Sequence, residues 1–281
     1  MIRLNSSASW ITEMHAENTI HAEVGRRLIA GECVGDILLS EKNLLAKNGH
    51  GDTLMHLAAR FNYLGEVPKA NLNERTILMK NKDKESVVFA AATYGTLHLI
   101  PRVFLMDSVL LARNREGYNC LHAAAEGMQT AFIPKHLLNE TRYKNLANNG
   151  FSPLHIAAQG ASTFMAIPKA LRHSSCLECP ASDGITPLHI LALHGDLHLL
   201  PLTQLTPERL MLQLKNCGGQ HANKTVLDLV LPNEHDYFLG ADMPSATQMV
   251  FGVDWWSKHQ EIRSQKLRVA DQLDTNDIGL F

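Results

Sequence analysis

The sequence predicts an all-α protein in which a short helical repeat recurs along the chain. Nearly the same phrase occurs three times, as GYNCLHAAAEG at 117–127, GFSPLHIAAQG at 150–160 and GITPLHILALHG at 184–195. A catalytic site is normally assembled once, whereas a phrase that recurs at a fixed spacing indicates a structural repeat. The repetition therefore points to an architecture before it points to a reaction.

Two independent landmarks share one period. The first is a position with a short polar side chain, at steps of 33, 33, 33, 34 and 39 residues: Thr53, Ser86, Asn119, Ser152, Thr186 and Thr225. The second is an aliphatic residue followed by proline: Val67-Pro68, Ile100-Pro101, Ile133-Pro134, Ile167-Pro168 and Leu200-Pro201. Because both landmarks keep the same spacing, they belong to one repeat.

Each repeat is expected to begin with a tight turn and a short helix. The Ser152 hydroxyl can accept from unpaired amides at a helix start, and Pro153 then occupies a position where no amide is needed. Gly150 precedes this cap, where a tight turn often requires a positive φ. Glycines also follow at the expected left-handed helix ends, at Gly127, Gly160 and Gly195.

The aliphatic-proline landmark predicts a second helical piece, because proline is tolerated in a first turn and breaks a helix interior. IPKHLLN at 133–139 is an example. A third short turn is expected after it, as in DSVLLARN at 107–114. No single repeat has enough apolar surface to fold alone, so we expect neighbouring repeats to stack around a continuous core.

The phrase G-x-T-P-L-H-x-A-A-x-x-G resembles the ankyrin repeat, and its TPLH core is intact at 186–189. The added L-x-x-I-P feature is similar to an ankyrin variant that is frequent in bacterial proteins and has a remodelled second helix. The repeat near residue 84 departs from the pattern, because Lys84 replaces glycine and Phe89 replaces histidine. The resemblance implies an ankyrin-repeat solenoid of helix-turn-helix units with short hairpin turns and helical terminal caps.

The chain is expected to have three parts. Residues 1–48 read as a helical N-terminal cap and degenerate repeat, residues 49–232 as an array of about six repeats, and residues 233–281 as a loop and a C-terminal amphipathic helix. In that helix Trp255, Ile262 and Val269 recur every seven residues, an amphipathic spacing. The helix either covers the last repeat or docks a partner.

Composition argues against several classes of function. A formal net charge of -2 gives no electrostatic case for nucleic acid or an anionic membrane. No apolar run approaches the roughly 20 residues of a membrane span, and MIRLNSSASW lacks the apolar core of a signal peptide. Five irregularly spaced cysteines indicate a reducing cytoplasm rather than a disulfide framework. The bacterial character of the repeats is also consistent with delivery into a host cell.

Most residues that could be catalytic or bind a metal occupy positions that the repeat itself explains. Four of the fifteen histidines share one repeat position, where the family's histidine bonds the turns of adjacent repeats: His56, His122, His155 and His189.

Cys176 and Cys179 form a Cys-x-x-Cys motif near His173. Such a motif can hold zinc or cycle as a dithiol. Structural zinc needs four ligands and no second cysteine pair exists, so we expect buried free thiols. Neither a nucleophile elbow nor a phosphate-binding loop occurs, and we predict no catalytic, cofactor-binding or metal site.

The predicted function is protein binding through exposed hairpin turns and the inner helix face. The alternative is an enzyme or metal-binding protein whose site lies in the C-terminal region or at the Cys-x-x-Cys, with the repeats as a targeting arm. One position, directly before each cap, is expected on the exposed hairpin and reads Asp52, Glu85, Tyr118, Phe151, Ile185 and Lys224. Its three apolar members, with Trp255 and Trp256, are the predicted partner-binding residues. Alternatively, these three side chains fold back onto their neighbours and tighten the stack.

Overall fold

A computed structural model describes residues 20–30, 34–172 and 175–201, together with residues 204, 205, 209, 225, 226 and 229. The chain divides into two compact units, Met1–Ala181 and Ser182–Phe281. Within these described ranges the regular elements are short helices and 3₁₀ turns, with two isolated bridges and no strand. The all-α prediction is therefore confirmed. None of the helices in this part of the chain is long and apolar enough to cross a membrane.

The first compact unit contains twelve α-helices among its described residues. They are α1 (Ile20–Ala30), α2 (Gly35–Leu38), α3 (Glu41–Leu44), α4 (Leu54–Arg60), α5 (Glu74–Ile77), α6 (Val87–Thr93), α7 (Asp107–Leu110), α8 (Cys120–Glu126), α9 (Glu140–Tyr143), α10 (Pro153–Ala157), α11 (Ala161–Met165) and α12 (Lys169–Arg172). The four helices that follow the polar landmark, α4, α6, α8 and α10, are here called the cap helices. Consecutive cap helices pack against one another, and one apolar cluster extends from Val24 to Leu137. The predicted continuous core is present in this unit.

The polar landmark caps these helices as predicted. Ser86 is in an extended conformation, and its hydroxyl accepts from the backbone amide of Phe89 at 3.2 Å. The Asn119 side chain accepts from the amide of Leu121 at 3.0 Å. Ser152 precedes Pro153, which lies in the first helical turn of α10. A side-chain acceptor at this position pairs an amide that the helix itself leaves unpaired.

The turn glycines behave as predicted, and the helix-end glycines do not. Gly117 has a φ of 85°, and a Cβ there would lie 2.7 Å from the backbone nitrogen of Asn148. Gly127, in contrast, has a φ of -83°, and the left-handed residue is Met128 at 57°. Glycine is needed at 127 for space, because a Cβ would lie 2.0 Å from the Ala92 carbonyl oxygen. Gly160, at a φ of -162°, is extended, so the prediction is wrong there too.

The aliphatic-proline landmark divides the second helix into two turns. Ile133 is extended, at a ψ of 136°, and 3% exposed, and it separates the 3₁₀ turns Thr130–Phe132 and Lys135–Leu137. A residue before proline is driven out of the helical region, which accounts for the break. Two earlier repeats have the same pair of turns, whereas Pro168 is followed by the helix α12. The predicted second helical piece therefore follows each of these prolines, but in three repeats it is a single 3₁₀ turn.

We expect Pro134→Ala to change the free energy of unfolding by no more than about 1 kcal/mol. Pro134 has a φ of -54°, which alanine adopts readily, and the buried anchor beside it is Ile133. Urea unfolding followed by circular dichroism would measure the difference. A loss as large as that from emptying a core leucine position would show that the proline, rather than the isoleucine, maintains the break.

Short third helices follow, as predicted, at α5, α7 and α9, and Ser175–Glu178 forms a 3₁₀ turn in the same position. At the N-terminal side α1, α2 and α3 precede the first cap helix. The division into an N-terminal cap, an array and a C-terminal part stays a prediction. The predicted C-terminal helix, with Trp255 and Trp256, lies outside the described residues.

The second compact unit contains one further helix among its described residues, α13 (Pro187–His194). Thr186 caps it, and its side chain accepts from the amide of His189 at 3.4 Å. Gly195 ends the helix at a φ of 74°, so the left-handed prediction is confirmed there. The 3₁₀ turn Leu197–Leu199 and the buried Leu200 then follow in the order that the repeat predicts.

Candidate functional site

A histidine in the first turn of a cap helix bonds the next repeat. The His56 Nδ1 accepts from the backbone amide of Thr53 at 3.1 Å, so the proton lies on Nε2. Nε2 then donates to the Glu85 carbonyl oxygen at 3.1 Å. His122 makes the same pair of bonds, to the Asn119 amide at 3.2 Å and the Phe151 carbonyl at 3.1 Å. The structural role predicted for these two histidines is confirmed.

The buried environment keeps these rings neutral. Burial lowers the pKa of His56, and it lowers the pKa of His122 from 6.5 to about 4. Their side chains are 3% and 2% exposed, respectively. Because both ring nitrogens are already bonded and the rings are uncharged at neutral pH, neither histidine is suited to acid–base chemistry.

Phe89 interrupts this series of histidines and lines a small cleft. It occupies the histidine position of α6 and has no nitrogen with which to reach the next repeat. The half-buried ring faces a space of about 40 Å³ among the cap helices and hairpins of the first compact unit. This space is here called the Phe89 cleft. Its other aromatic residues are Tyr94 and Tyr118, and its carboxylates are Asp52, Glu85, Glu116 and Glu126.

Two of these carboxylates are buried and share an asparagine. Asp52 is 4% exposed and Glu85 is 7% exposed. The Asn81 amide donates to the Asp52 Oδ1 at 2.8 Å and to the Glu85 Oε2 at 3.3 Å. Asn114 donates to the other Glu85 oxygen at 3.1 Å. The prediction that these two acids belong to a solvated hairpin tip is therefore wrong, because the side-chain amides hold them inside the cleft.

A second periodic residue explains why the position before the cap points inward. Asn114 accepts from the backbone amides of Glu116 and Tyr118 at 3.0 and 2.9 Å, which folds the hairpin back over itself. Asn48 and Asn81 do the same in the two preceding repeats. These asparagines belong to neither of the two landmarks, but their spacing of 33 residues is a usable signal in the sequence.

The predicted apolar stripe is only partly exposed. Tyr118 is 7% exposed, its ring meets His122 edge-on at 5.3 Å, and its hydroxyl accepts from Asn149 at 2.7 Å. Burial also raises the pKa of Tyr118. The prediction that Tyr118 is exposed is wrong, because its side chain folds back onto the stack. Its part in partner binding stays a prediction. Phe151 stacks on His155 at 5.2 Å and is half-buried, as is Ile185 in the second compact unit.

No protein-family model matches the chain, and no curated protein matches it. Among solved structures, the ankyrin repeat domain of Bcl-3, described as a unique member of the IkappaB protein family, is 18% identical with a TM-score of 0.48. That alignment covers 78% of this chain and 91% of the other. The geometry of the chain itself decides the fold, because a turn, a capped helix and an inter-repeat histidine bond recur in register. The repeats have the ankyrin fold.

The charge of the Phe89 cleft is predominantly negative. Four carboxylates line it, and its one arginine, Arg60, places its guanidinium 4.9 Å from the centre of the Tyr94 ring. That arrangement is itself a cation–π contact at the edge of the cleft. Aromatic faces and carboxylates together form an environment that suits a positively charged side chain more than a neutral one.

The two cysteines of the Cys-x-x-Cys, Cys176 and Cys179, do not line this cleft. Cys176 is fully buried and Cys179 is half-buried, and both are free thiols. Burial raises the pKa of Cys179, which disfavours the reactive thiolate. Among the residues that the structure describes, no group of three or more histidine, cysteine or acidic side chains is arranged to hold a metal ion. His173, the third member of the sequence motif, lies outside the described residues.

Proposed function

We propose that the protein is a non-enzymatic scaffold that binds a partner protein at the Phe89 cleft. The proposal rests on one observation. In one ankyrin repeat Phe89 replaces the structural histidine, and its ring lines a cleft that also contains carboxylates. The partner contributes a lysine or arginine side chain. Because the aliphatic-proline repeats are similar to bacterial ones, we extend the proposal to a bacterial effector that acts in the cytoplasm of a host cell.

The phenylalanine at position 89 supports a binding role, because replacing the repeat's histidine there removes a hydrogen bond between repeats and so does not stabilise the fold. In the flanking repeats the equivalent histidines donate to buried carbonyl groups of the next hairpin. Such a bond contributes about 1 kcal/mol, and the repeat with Phe89 lacks it. In return the chain gains a half-buried aromatic surface, and aromatic residues are the commonest anchors at protein interfaces.

The size of the cleft limits what can enter it. A space of about 40 Å³ admits the end of a side chain rather than a helix or a cofactor. A guanidinium or ammonium group can lie against the Phe89 face and meet the carboxylates of Glu116 and Glu126 at the more open side. The buried carboxyl groups of Asp52 and Glu85 also line the cleft.

The predicted contact residues take different parts in this proposal. Tyr118 forms a wall of the cleft and orients its neighbours, whereas the half-buried Phe151 lies beside it in a small apolar group with Ile156. Ile185 is proposed as a contact in the second compact unit. The roles of Trp255 and Trp256 stay predictions.

We expect Phe89→His to weaken partner binding by about tenfold or more without lowering the melting temperature. The substitution restores the residue that the ankyrin repeat resembles at this position, so it repairs the series of histidine bonds while it removes the aromatic wall. Binding would be measured with synthetic peptides selected on the full-length chain from a random library displayed on phage. One class of the selected peptides should be enriched in lysine and arginine, and the affinities are compared for this class.

Phe132→His is the matched control, because Phe132 is 45% exposed and does not line the cleft. It should leave the affinity for these peptides unchanged. Equal affinity of the wild type and Phe89→His for these basic peptides, or a selection that yields no basic peptides, would contradict the proposal. A fall in melting temperature with intact binding would show that Phe89 serves only to pack the array.

A further inference from the structure

A second concavity lies in the first compact unit, at the place where two aliphatic-proline breaks are neighbours. It has a volume of about 460 Å³, and we call it the Ile-Pro groove. Its apolar lining is Leu97, Ile100, Leu105, Phe132, Ile133 and Pro134. None of its lining residues lines the Phe89 cleft. The two sites therefore share no lining residue.

The floor of the groove is core and its edge is exposed. Leu97 is fully buried, whereas Phe132 at the edge is 45% exposed. Val103 and Met106, which follow the first proline, are 68% and 45% exposed. Large apolar side chains exposed to solvent beside a preformed depression are typical of a binding surface.

Phe132 and Val103 occupy positions at which other repeats have smaller or polar residues. The positions equivalent to Phe132, two residues before the proline, are Glu66, Leu99 and Ala166 in the other repeats of this compact unit. The positions equivalent to Val103, two residues after it, are Ala70, His136 and Ala170. The repeat fold itself does not require an apolar side chain at either position, which favours a role for the cluster outside the stack.

The two charged residues that line the groove, Arg102 and Lys135, are both basic. Arg102 and Lys135 line it together with His98, whose ring lies 5.6 Å from that of Phe132, and no acidic residue is among its lining residues. Within the described part of the chain, the side chains of Arg102 and Lys135 make no hydrogen bond or ion pair. Two unengaged cations beside an apolar depression complement a ligand that carries both a carboxylate and an apolar group.

We propose that the Ile-Pro groove binds an extended partner segment in which an acidic residue lies next to a large apolar one. The apolar side chain fills the depression between Ile100 and Ile133, against the Phe132 ring. The carboxylate pairs with Arg102, whose planar guanidinium can bind both oxygens, while Lys135 adds a second positive charge. An open groove edged by exposed apolar residues suits a peptide segment, which can continue over Val103.

The test uses the full-length chain and a random peptide library displayed on phage, with counter-selection on the double variant Arg102→Glu, Lys135→Glu. Both residues are exposed, so the double variant should keep its melting temperature. Peptides that the wild type retains and the double variant loses should pair aspartate or glutamate with leucine, isoleucine or phenylalanine. When these peptides are synthesised, their affinity for the double variant and for Phe132→Ala should be at least about tenfold lower than for the wild type. Added salt should lower their affinity for the wild type.

Two control variants distinguish binding in the groove from binding elsewhere on the array. Lys69→Glu changes the equivalent post-proline cation of another repeat, outside the groove, and should leave the affinity unchanged. Phe89→His alters only the other cleft and should also leave it unchanged, so the two proposals fail independently. The inference would be overturned if no selected peptide bound the wild type more tightly than the double variant. It would also be overturned if the peptides that did so lacked acidic residues. Binding of polyuridylate and of phosphatidylserine vesicles would be measured with the same variants. If the two substitutions weakened binding to either of these and to no peptide, the inference would also be overturned.

Discussion

Leu154→Ala should lower the free energy of unfolding by about 2 to 5 kcal/mol. Leu154 belongs to the intact SPLH phrase at the start of α10 and is fully buried. Helix α10 packs against α8, so the cavity would open inside the stack of cap helices. Removing the leucine forfeits its transfer free energy and leaves a cavity that close-packed neighbours fill only partly. Stacked repeats unfold through the interfaces that they share, so the loss should extend beyond one repeat.

Urea unfolding followed by circular dichroism would measure the change as a lower midpoint at an unaltered slope. Leu39→Ala is the matched control, since Leu39 is 62% exposed and the same truncation there should change stability by less than about 0.5 kcal/mol. Comparable midpoints for the wild type and Leu154→Ala would contradict the placement of this phrase in the core. A changed slope would instead indicate that the array no longer unfolds as one cooperative body.

Local signals in the sequence are sufficient to predict the capped helices. A polar cap such as Ser152, a proline directly after it and a histidine three residues on lie within one helical turn. The interactions that they make are short-range, so four or five residues predict the geometry without knowledge of the rest of the chain. Recurrence in register then predicts the stack, because each helix leaves an apolar face that only a neighbouring repeat can cover.

The direction of the residue before each cap cannot be predicted in the same way. The pattern places Tyr118 on an exposed hairpin, yet its backbone amide is bonded to Asn114, four residues earlier, and its ring lies on His122. Whether such a side chain reaches solvent depends on a side-chain-to-backbone bond that hydrophobic patterning does not report. The periodic asparagines carry that information, and together with Phe89 they convert a predicted hairpin tip into the lining of a cleft.

The helix ends and the proline breaks show the same limit. Glycine at position 127 is required by the nearby Ala92 carbonyl oxygen, a contact with the preceding repeat, and not by a left-handed φ. Composition alone does not distinguish these two reasons for glycine. The break at Ile133 follows from the proline after it, but whether a helix or a 3₁₀ turn resumes depends on the packing of each repeat.

The buried histidines should make the protein less stable as the pH falls from about 6.5 to about 4. Burial lowers the pKa of His122 from 6.5 to about 4 in the folded state, so between these values the unfolded chain binds more protons than the folded one. Stability therefore rises with pH across this window, and it is lost as the pH falls through it. This difference between the folded and unfolded pKa values of His122 lowers the free energy of unfolding by about 3 kcal/mol when the pH reaches 4. His56 shifts in the same direction and adds to the slope.

His122→Phe should isolate this contribution, because a phenylalanine already occupies the equivalent position at Phe89 in the preceding repeat. At neutral pH the variant should lose about 1 to 3 kcal/mol, since the Phe151 carbonyl and the Asn119 amide lose their histidine partner. Its free energy of unfolding should then fall about 3 kcal/mol less than that of the wild type between pH 6.5 and 4. Urea midpoints across this pH range would measure both effects, and the same substitution at the exposed His50 should leave the wild-type pH dependence in place. If His122→Phe kept the full acid sensitivity, the protonation of His122 would not be what destabilises the stack.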